Sequence, residues 1–358
     1  MTTPQRLRRA GLAAAAALVI GGSGVAIGAA ATDSSASGTT AAATATATPG
    51  PATPGPASYA SVVRQVLPSV VLIRTESGLG SGVVLDRSGN IVTNAHVAGN
   101  ATKFQVQVAG DTAPRSARLV GTYPPDDLAV IRADNPAGLQ PATFGDSDKV
   151  QAGDVVLAIG NPLGLSGSVT QGIISATDRA VTEPSEDGSP AATLPGAIQT
   201  SAPINPGNSG GALVSTSGQV VGIPTLAAGS PQGGGQAQGI GFAIASNLAH
   251  DIATQIIDTG HVTNSHRAAL GAEVATVLGA DGSTGGVGVV TVTSGGGAER
   301  AGLRPGDVIK SVGSAQTPDT TALTQALAAA KPGDKVTVTI SRAGQDQDVQ
   351  VTLGELGG

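Results

Sequence analysis

The sequence predicts a mainly β protein: an antiparallel β-barrel or sandwich followed by a small α+β domain. From Tyr59 to about Thr259, short apolar or alternating runs follow one another between turn residues, with almost no helical pattern among them. Strand after strand without interleaved helices favours antiparallel pairing. The composition agrees, because 53 glycines and 22 prolines in 358 residues, with aromatics at only 1%, favour many turns and few long helices.

The N-terminal segment differs from the rest of the chain. Three arginines (Arg6, Arg8 and Arg9) come before an uncharged, apolar run that ends at Ala31. This pattern is typical of a signal peptide, but the run is also long enough to serve as an uncleaved membrane anchor, and the sequence leaves both open for residues 1–31. Residues 32–57, rich in Thr, Ala and Pro, are predicted to form a disordered tether. In either case the rest of the chain works outside the cytoplasm.

Eight runs in the β-rich part match the pattern of short strands, and the alternation in KFQVQV is the clearest case. They are Ser69–Thr75, Gly80–Asp86, Asn90–Val97, Lys103–Val108, Asp127–Ala133, Asp154–Gly160, Ser168–Ala176 and Gly211–Ile223. The last run contains a hairpin turn at Ser217-Gly218. A helix that starts at Ser246, with that serine as its cap, and stops at Gly260 closes this part. The first domain is therefore predicted over residues 58–260.

The second domain is predicted over residues 267–356. It contains strands at Val287–Val292 and Asp307–Gly313, one helix at Thr321–Ala330 and a final hairpin over Lys335–Leu353. Several strands around a single helix are typical of a small α+β domain.

Charge and residue usage exclude several functions. A net charge of −6 and a pI near 5.1 argue against nucleic acid and anionic membrane surfaces as partners. The chain has no cysteine, which removes disulfides, thiol catalysis and thiolate metal sites. Neither a zinc-protease HExxH motif nor a nucleotide-binding glycine pattern occurs in a suitable context. We predict neither a metal nor a cofactor.

Three residues carry the chemistry of a serine hydrolase. His96 ends an apolar strand in TNAHV, Asp127 begins another in DDLAVIR, and Ser209 lies among glycines in NPGNSGG. A serine nucleophile needs a base for its hydroxyl proton and an acid that orients this base. The glycines allow the close backbone approach that an oxyanion loop requires. Asp126 is an alternative acid, since strand alternation lets only one of the two neighbouring aspartates face His96.

Residues 207–211 also fit G-x-S-x-G, the nucleophile elbow of α/β-hydrolases. That fold requires a helix after the serine and a catalytic histidine downstream of it. Here GALVSTSGQVVGI predicts two strands after the serine, and His250, His261 and His266 fall on a helix and a linker. The order His, Asp, Ser is instead that of chymotrypsin-like proteases.

Longer motifs resemble one known family. TNAHV, DDLAVIR, IGNPLGLSGSVTQGIISA and NPGNSGGALV resemble the trypsin-like serine proteases of the HtrA/DegP type, and SGGGAERAGLRPGDVIKSVG resembles the PDZ domain that these proteases carry. The resemblance runs from about Tyr59 to Leu353. It implies a chymotrypsin-like double β-barrel followed by one C-terminal PDZ domain. It also implies His96 as the base, Asp127 as the acid and Ser209 as the nucleophile.

The resemblance further implies an oxyanion hole formed by Gly207, Asn208 and Ser209. Asn208 stands where digestive relatives have an aspartate that pairs with a newly cut N-terminus. Because a neutral asparagine cannot form that ion pair, we do not expect activation by N-terminal cleavage. We hypothesise instead that ordering of the long polar loop Asp178–Gly196 completes the oxyanion hole.

Ile204, Ile223 and Ile240 match positions that line the primary specificity pocket in the family. They imply small or medium aliphatic side chains before the cleaved bond. Isoleucines on strands are also ordinary core residues, and that alternative stays open. Pro203 and Pro224 depart from the family pattern on the walls of the substrate cleft, which puts the shape of the pocket in question.

In the second domain, Ala269, Leu270, Gly271 and Ala272 match the PDZ loop whose N–H groups bind a C-terminal carboxylate. The bound peptide then adds as a strand to the edge of the sheet. An ordinary glycine turn is the alternative. Ala272 is smaller than the usual Ile or Val, so the preferred ligand stays open.

Together, these features predict an exported serine endopeptidase of the cell envelope, secreted or membrane-anchored and facing outward. It would cleave unfolded or damaged proteins, bind C-terminal peptides at a regulatory PDZ domain and, by resemblance, form a homotrimer. The alternative is a protein-binding or chaperone-like module whose triad is idle. Loss of casein cleavage in a Ser209→Ala variant would separate the two.

Overall fold

The computed structural model describes residues 58–76, 78–161, 167–183, 192–205, 207–229, 236–279 and 282–357. Among the helices in these ranges, none has both the length and the apolar character needed to cross a bilayer. The predicted signal peptide or anchor (residues 1–31) and the predicted tether (residues 32–57) lie outside the described residues.

Six antiparallel strands close into a first barrel. They are β1 (Val70–Arg74), β2 (Leu79–Val84), β3 (Asn90–Thr93), β4 (Lys103–Val108), β5 (Arg115–Tyr123) and β6 (Leu128–Ala133). The hydrogen-bonded order is β1-β2-β3-β6-β5-β4, and β1 closes the barrel against β4. Helix α1 (Tyr59–Val66) precedes this barrel, and the single-turn helix α2 (Ala95–Ala98) follows β3.

A second barrel of the same construction follows. Its strands are β7 (Val155–Gly160), β8 (Ser168–Glu183), β9 (Ala192–Thr200), β10 (Ala212–Ser215), β11 (Val220–Gly229) and β12 (Gln236–Ala245). The order is β10-β11-β12-β9-β8-β7, and β7 pairs with β10 to close the barrel. The predicted hairpin turn at Gly218, whose φ is +80°, joins β10 to β11. Short 3₁₀ turns lie at Leu67–Ser69, Pro124–Asp126 and Ser147–Lys149.

Three hydrophobic clusters hold the two barrels. One consists only of residues from the first barrel and its connections, and another only of residues from the second. The third cluster contains residues of both barrels, including Val92 and Ile159, together with Ile252 of the helix that follows them. Burial of this shared cluster fixes the two barrels against each other, because apolar surface removed from water stabilises their contact.

Helix α3 (Ser246–Thr259) closes the protease part. As predicted, it ends at Gly260, which adopts a left-handed conformation with φ +82°. The predicted cap at its start is wrong: Ala245 is the N-cap residue, and the Ser246 hydroxyl instead donates to the carbonyl of Gly145 at 2.8 Å.

The C-terminal domain is a strand-rich unit with two helices. Its elements are β13 (Ala268–Ala269), β14 (Ala272–Leu278), β15 (Thr284–Val292), α4 (Gly297–Arg300), β16 (Val308–Val312), β17 (Ala315–Gln316), α5 (Thr320–Ala328), β18 (Lys335–Arg342), β19 (Gln345–Thr352) and β20 (Gly354–Glu355). The main sheet has the order β14-β15-β16-β18-β19, with β17 paired to β16, while β13 pairs with β20. This arrangement confirms the small α+β domain.

The polar segment Asp178–Gly196 differs from the predicted loop. Strand β8 continues through it to Glu183, and β9 begins at Ala192. Cross-strand pairs such as Val181 with Leu194 extend the hairpin, and paired strands satisfy the backbone groups that a loop would leave to water. Residues 184–191 lie outside the described residues, so the gating hypothesis stays a prediction.

Candidate active site

His96 lies beside the buried Asp127 in the first barrel. It occupies the first turn of α2, directly after β3, and its side chain is about one-third exposed. The Nδ1 atom lies 2.8 Å from Oδ2 of Asp127, and the backbone N–H of His96 donates to Oδ1 of the same carboxylate at 2.9 Å. Because a carboxylate only accepts, Nδ1 carries the hydrogen. In the neutral ring Nε2 is then left as the basic nitrogen.

Asp127 is buried and held in an uncommon backbone conformation. It follows the 3₁₀ turn at Pro124–Asp126 and precedes β6, with φ +51° in the left-handed region. Aspartate tolerates this region better than most residues. The backbone carbonyl of Asp127 accepts from the N–H of Ala95 and from the side-chain amide of Asn94, each at 3.0 Å. These contacts fix the aspartate against the segment that carries His96.

Asp126 points away from His96. Its Oδ1 accepts from Nη1 of Arg267 at 2.9 Å, and the same nitrogen donates to the carbonyl of Pro125 at 2.5 Å. Both members of the pair are buried. Of the two neighbouring aspartates, the structure therefore places Asp127 at the histidine and uses Asp126 to join the protease part to the C-terminal domain.

Ser209 lies in a tight turn of the second barrel. Gly207 and Gly210 on either side of it adopt φ +107° and +77°, values that favour glycine. The Ser209 hydroxyl donates to the carbonyl of Thr225 at 3.1 Å. Within the described residues, the N–H groups of Gly207 and Ser209 donate to no protein acceptor. Two such donors beside a hydroxyl are what an oxyanion hole requires.

Asn208 is buried under this turn. Its N–H donates to the carbonyl of Asn205 at 3.0 Å, and its side-chain amide donates to the carbonyl of Pro203 at 3.2 Å. The side chain thus stabilises the loop by one neutral hydrogen bond.

Thr225 joins the acid to the nucleophile, and sequence reasoning missed it. It lies on β11, where its hydroxyl donates to Oδ2 of Asp127 at 2.5 Å and its carbonyl accepts from Ser209. The sequence-based interpretation considered this stretch, through Ile223 and Pro224, only as a wall of the substrate pocket. The sequence carried no clear signal, because the register of β11 shifts at Thr225 and alternation does not predict where the side chain of a bulged residue points.

The three predicted pocket isoleucines lie in different places. Ile223 has no exposed surface and packs in the shared cluster between the barrels. Ile204 packs inside the second barrel, next to Gly241, where an added Cβ would come within 2.4 Å of its Cγ1. Ile240 is 37% exposed. With no free surface, Ile223 is a core residue in this structure, as the alternative interpretation allowed.

A cleft of about 900 Å³ lies at the predicted PDZ loop. All four loop residues, Ala269–Ala272, line it, together with Leu323 and Leu327 of α5. Gly271 adopts φ +75°, and a Cβ there would lie 3.1 Å from the backbone of Gly296, so the turn requires glycine. Residues of the protease part line the same cleft: they are Pro124, Pro125, Thr193 and Pro195. One cleft therefore contacts both the PDZ loop and the turn that leads to Asp127.

The buried Asp126 gives the stability of the protein a pH dependence. Burial raises the pKa of Asp126 from 3.8 to about 6, against the opposing effects of Arg267 and, more weakly, His266. Because the folded-state pKa is the higher one, the native state holds the proton between about pH 4 and 6 while the unfolded state has lost it. The free energy of unfolding should therefore fall as pH rises through this window, by at most about 3 kcal/mol.

Urea titrations between pH 4 and 7 measure this contribution. The decrease in the free energy of unfolding should be smaller in Asp126→Asn. It should persist in Asp258→Asn, which removes an exposed carboxyl on α3. If the free energy of unfolding changed equally with pH in the wild type and in Asp126→Asn, the pH dependence could not be assigned to Asp126.

Paired six-stranded barrels that meet at a His–Asp pair are the architecture of the trypsin-like serine peptidases, here extended by a PDZ domain. Family comparisons agree, since residues 80–223 match the trypsin-like peptidase domain and residues 263–353 match the PDZ domain.

Comparison with individual proteins narrows the class. The chain is 39% identical over 317 residues to serine protease PepD of Mycobacterium tuberculosis, covering 83% of this chain and 66% of PepD. It is 34% identical over 330 residues to the periplasmic pH-dependent serine endoprotease DegQ of Escherichia coli, covering 83% of this chain and 70% of DegQ. The solved structure of the HtrA-type protease AlgW with a decapeptide, 34% identical, has a TM-score of 0.55 and covers 84% of this chain and 99% of that one. The chain belongs to the HtrA/DegP family of serine endopeptidases, which confirms the predicted family and the double-barrel-plus-PDZ fold.

Proposed function

We propose that this chain is an exported endopeptidase that works through Ser209, His96 and Asp127. Thr225 is the observation that carries the proposal. It belongs to the second barrel, yet it contacts the buried acid of the first barrel with its hydroxyl and the nucleophile with its carbonyl. One residue of the second barrel thereby links the proposed acid to the proposed nucleophile through two hydrogen bonds.

The geometry supports acyl-enzyme chemistry. Ser209 Oγ attacks the peptide carbonyl carbon while Nε2 of His96 takes the hydroxyl proton, and Asp127 stabilises the imidazolium that forms. The carbonyl oxygen becomes an oxyanion that accepts from the N–H groups of Gly207 and Ser209. His96 then gives its proton to the leaving amine. Water, activated by the same histidine, hydrolyses the acyl-enzyme and restores Ser209.

The shared cleft supports regulation by peptides at the PDZ domain. A C-terminal peptide bound at Ala269–Ala272 would also touch Pro124 and Pro125, immediately before the two aspartates. Helix α5, on the other wall of the cleft, lies against β8 and β9 of the protease part. Peptide binding therefore acts on elements that position Asp127.

The names of relatives support endoprotease activity outside the cytoplasm. DegQ and DegP of Escherichia coli are named as periplasmic endoproteases. The charged and apolar N-terminal pattern of this chain fits export to a similar compartment. We propose unfolded or damaged envelope proteins as its substrates, with the chain either secreted or anchored in the membrane and facing outward.

An apolar surface supports assembly of several copies, in line with the implied homotrimer. Tyr59 on α1 and the β8 residues Val169 and Ile173 are all exposed. Alternate residues of a strand share a face, and Gln171 on the same face of β8 donates to the Tyr59 hydroxyl at 3.4 Å. Exposed apolar groups that lie together favour contact with another protein surface.

Labelling with a fluorophosphonate tests the proposed function. We expect mass spectrometry to find the phosphonyl group on Ser209, and casein to be cut after small or medium aliphatic residues. A peptide that binds the PDZ domain should change the labelling rate. An unlabelled Ser209 in a protein that prevents casein aggregation without cutting it would support the chaperone-like alternative.

A further inference from the structure

Ser81 connects the first barrel to the loop that carries the nucleophile. It lies on β2 and is fully buried. Its N–H donates to the carbonyl of Ser209 at 2.9 Å, and its hydroxyl donates to the carbonyl of Gly207 at 2.6 Å. A single residue of the first barrel thus holds two carbonyls on either side of Asn208, although it comes more than 120 residues earlier in the chain.

A third contact fixes the direction of the Ser81 hydroxyl. The N–H of Asn161, at the end of β7, donates to Ser81 Oγ at 2.8 Å. Because a carbonyl oxygen only accepts, the hydrogen of the Ser81 hydroxyl goes to the Gly207 carbonyl. The result is a chain of donors from Asn161 through Ser81 to Gly207, in which each bond polarises the next.

Close packing leaves the loop no alternative position. A Cβ on Gly160 would lie 2.4 Å from the Gly207 carbonyl oxygen, and a Cβ on Gly210 would lie 2.2 Å from the Ser81 carbonyl oxygen. Both distances are too short for carbon and oxygen, so glycine is required at each. The loop is therefore closely packed between β2 and the end of β7.

Hydrogen bonds hold the two peptide groups that flank the Cα atom of Asn208. In the group after Gly207, Ser81 holds the oxygen, and the N–H of Asn208 donates to Asn205. In the next group the Asn208 oxygen accepts from the N–H of Gly211 at 2.9 Å. Because a peptide group is planar, a held oxygen fixes the direction of the N–H across the bond. Gly211 thereby fixes the direction of the Ser209 N–H, and Ser81 fixes the peptide group between Gly207 and Asn208, which lies between the two donors.

We propose that Ser81 is a positioning residue for oxyanion stabilisation, an inference that rests on the proposed function. Its hydroxyl holds the peptide group between Gly207 and Asn208, which lies between the two peptide groups that carry the proposed oxyanion donors. A fixed middle peptide group keeps the N–H of Gly207 and the N–H of Ser209 in a constant position relative to each other. Ser81 itself touches no reacting atom. Its effect should appear where charge develops on the substrate oxygen, because preorganised donors stabilise the transition state more than the ground state.

The Ser81→Ala variant of the full chain tests this role. We expect kcat on a peptide substrate to fall by roughly 10- to 100-fold, less than the 10²- to 10³-fold typical when an oxyanion donor is removed outright. KM should stay within about twofold. A peptide aldehyde, whose adduct with Ser209 places an oxyanion in the hole, should bind weaker by the same factor as kcat/KM, while a cleaved product peptide binds as before. Active sites are counted by burst titration, so that unfolded protein does not lower kcat.

Ser246→Ala is the matched control. It also removes a buried hydroxyl that donates to a backbone carbonyl at 2.8 Å, but on α3, away from the loop. Its kcat and aldehyde affinity should equal those of the wild type. Ser81→Ala with wild-type kcat, or with equal losses for aldehyde and product peptide, would overturn the proposal. An inactive, unlabelled wild type would instead refute the proposed function.

Discussion

Replacement of Ser209 by alanine should lower kcat on a peptide substrate by about 10⁶-fold, the loss typical when a triad nucleophile is removed. The reason is chemical, because no other group in the loop can form the acyl-enzyme. The N–H donors of Gly207 and Ser209 stay, since alanine keeps the backbone, and they preserve a residual rate above that in water. Single-turnover kinetics with a fluorogenic peptide measure the loss.

The same variant separates the enzyme from a pure binding module. We expect Ser209→Ala to keep its melting temperature and its affinity for a C-terminal peptide, since the PDZ loop lies in another domain. Ser217→Ala, in the exposed turn between β10 and β11, is the matched control and should retain full activity. If Ser209→Ala cleaves peptide at the wild-type rate, Ser209 is not the nucleophile.

Most of the strands that sequence reasoning found have either an apolar run or a strict alternation of polar and apolar residues. Strand β9 was missed because Pro195 and Gly196 interrupt it, and β12 because Gly239 and Gly241 dilute its pattern. Strand order supplies what the local pattern lacks: β9 is held between β8 and β12, so pairing on both sides overrides weak propensity. Helix α1 was missed because its eight residues contain only two buried positions, Val62 and Val66, and so short a pattern does not by itself indicate a helix.

The residues alone indicated the candidate site by residue type and chain order. Histidine, aspartate and serine in the right order indicated the chemistry, but alternation alone left Asp126 and Asp127 equivalent. The choice depends on the left-handed φ of Asp127 and on Arg267, which lies 141 residues beyond Asp126. The contacts of Ser81 and Thr225 could not be predicted for the same reason, because each residue bonds to atoms of a strand or loop that is distant in the sequence.

Asp127→Asn should lower kcat by about 10⁴-fold, the loss typical when the triad acid becomes an amide. An asparagine amide facing His96 would donate to Nδ1 and so place the ring hydrogen on Nε2, where it cannot accept from Ser209. The Thr225 hydroxyl would also lose the charged carboxylate as its acceptor, which weakens its hydrogen bond to residue 127. KM should change little, since Asp127 is buried and touches no substrate.

Asp126→Asn is the matched control, because it makes the same chemical change one residue earlier. Its side chain faces Arg267, so kcat should stay within a few-fold of the wild type at saturating PDZ peptide, while the peptide concentration needed for half-maximal activity shifts. Measurement of kcat across pH 6 to 9 for both variants separates the two roles. A loss in Asp126→Asn as large as that in Asp127→Asn would mean that the buried ion pair, and not the carboxylate at His96, holds the catalytic geometry.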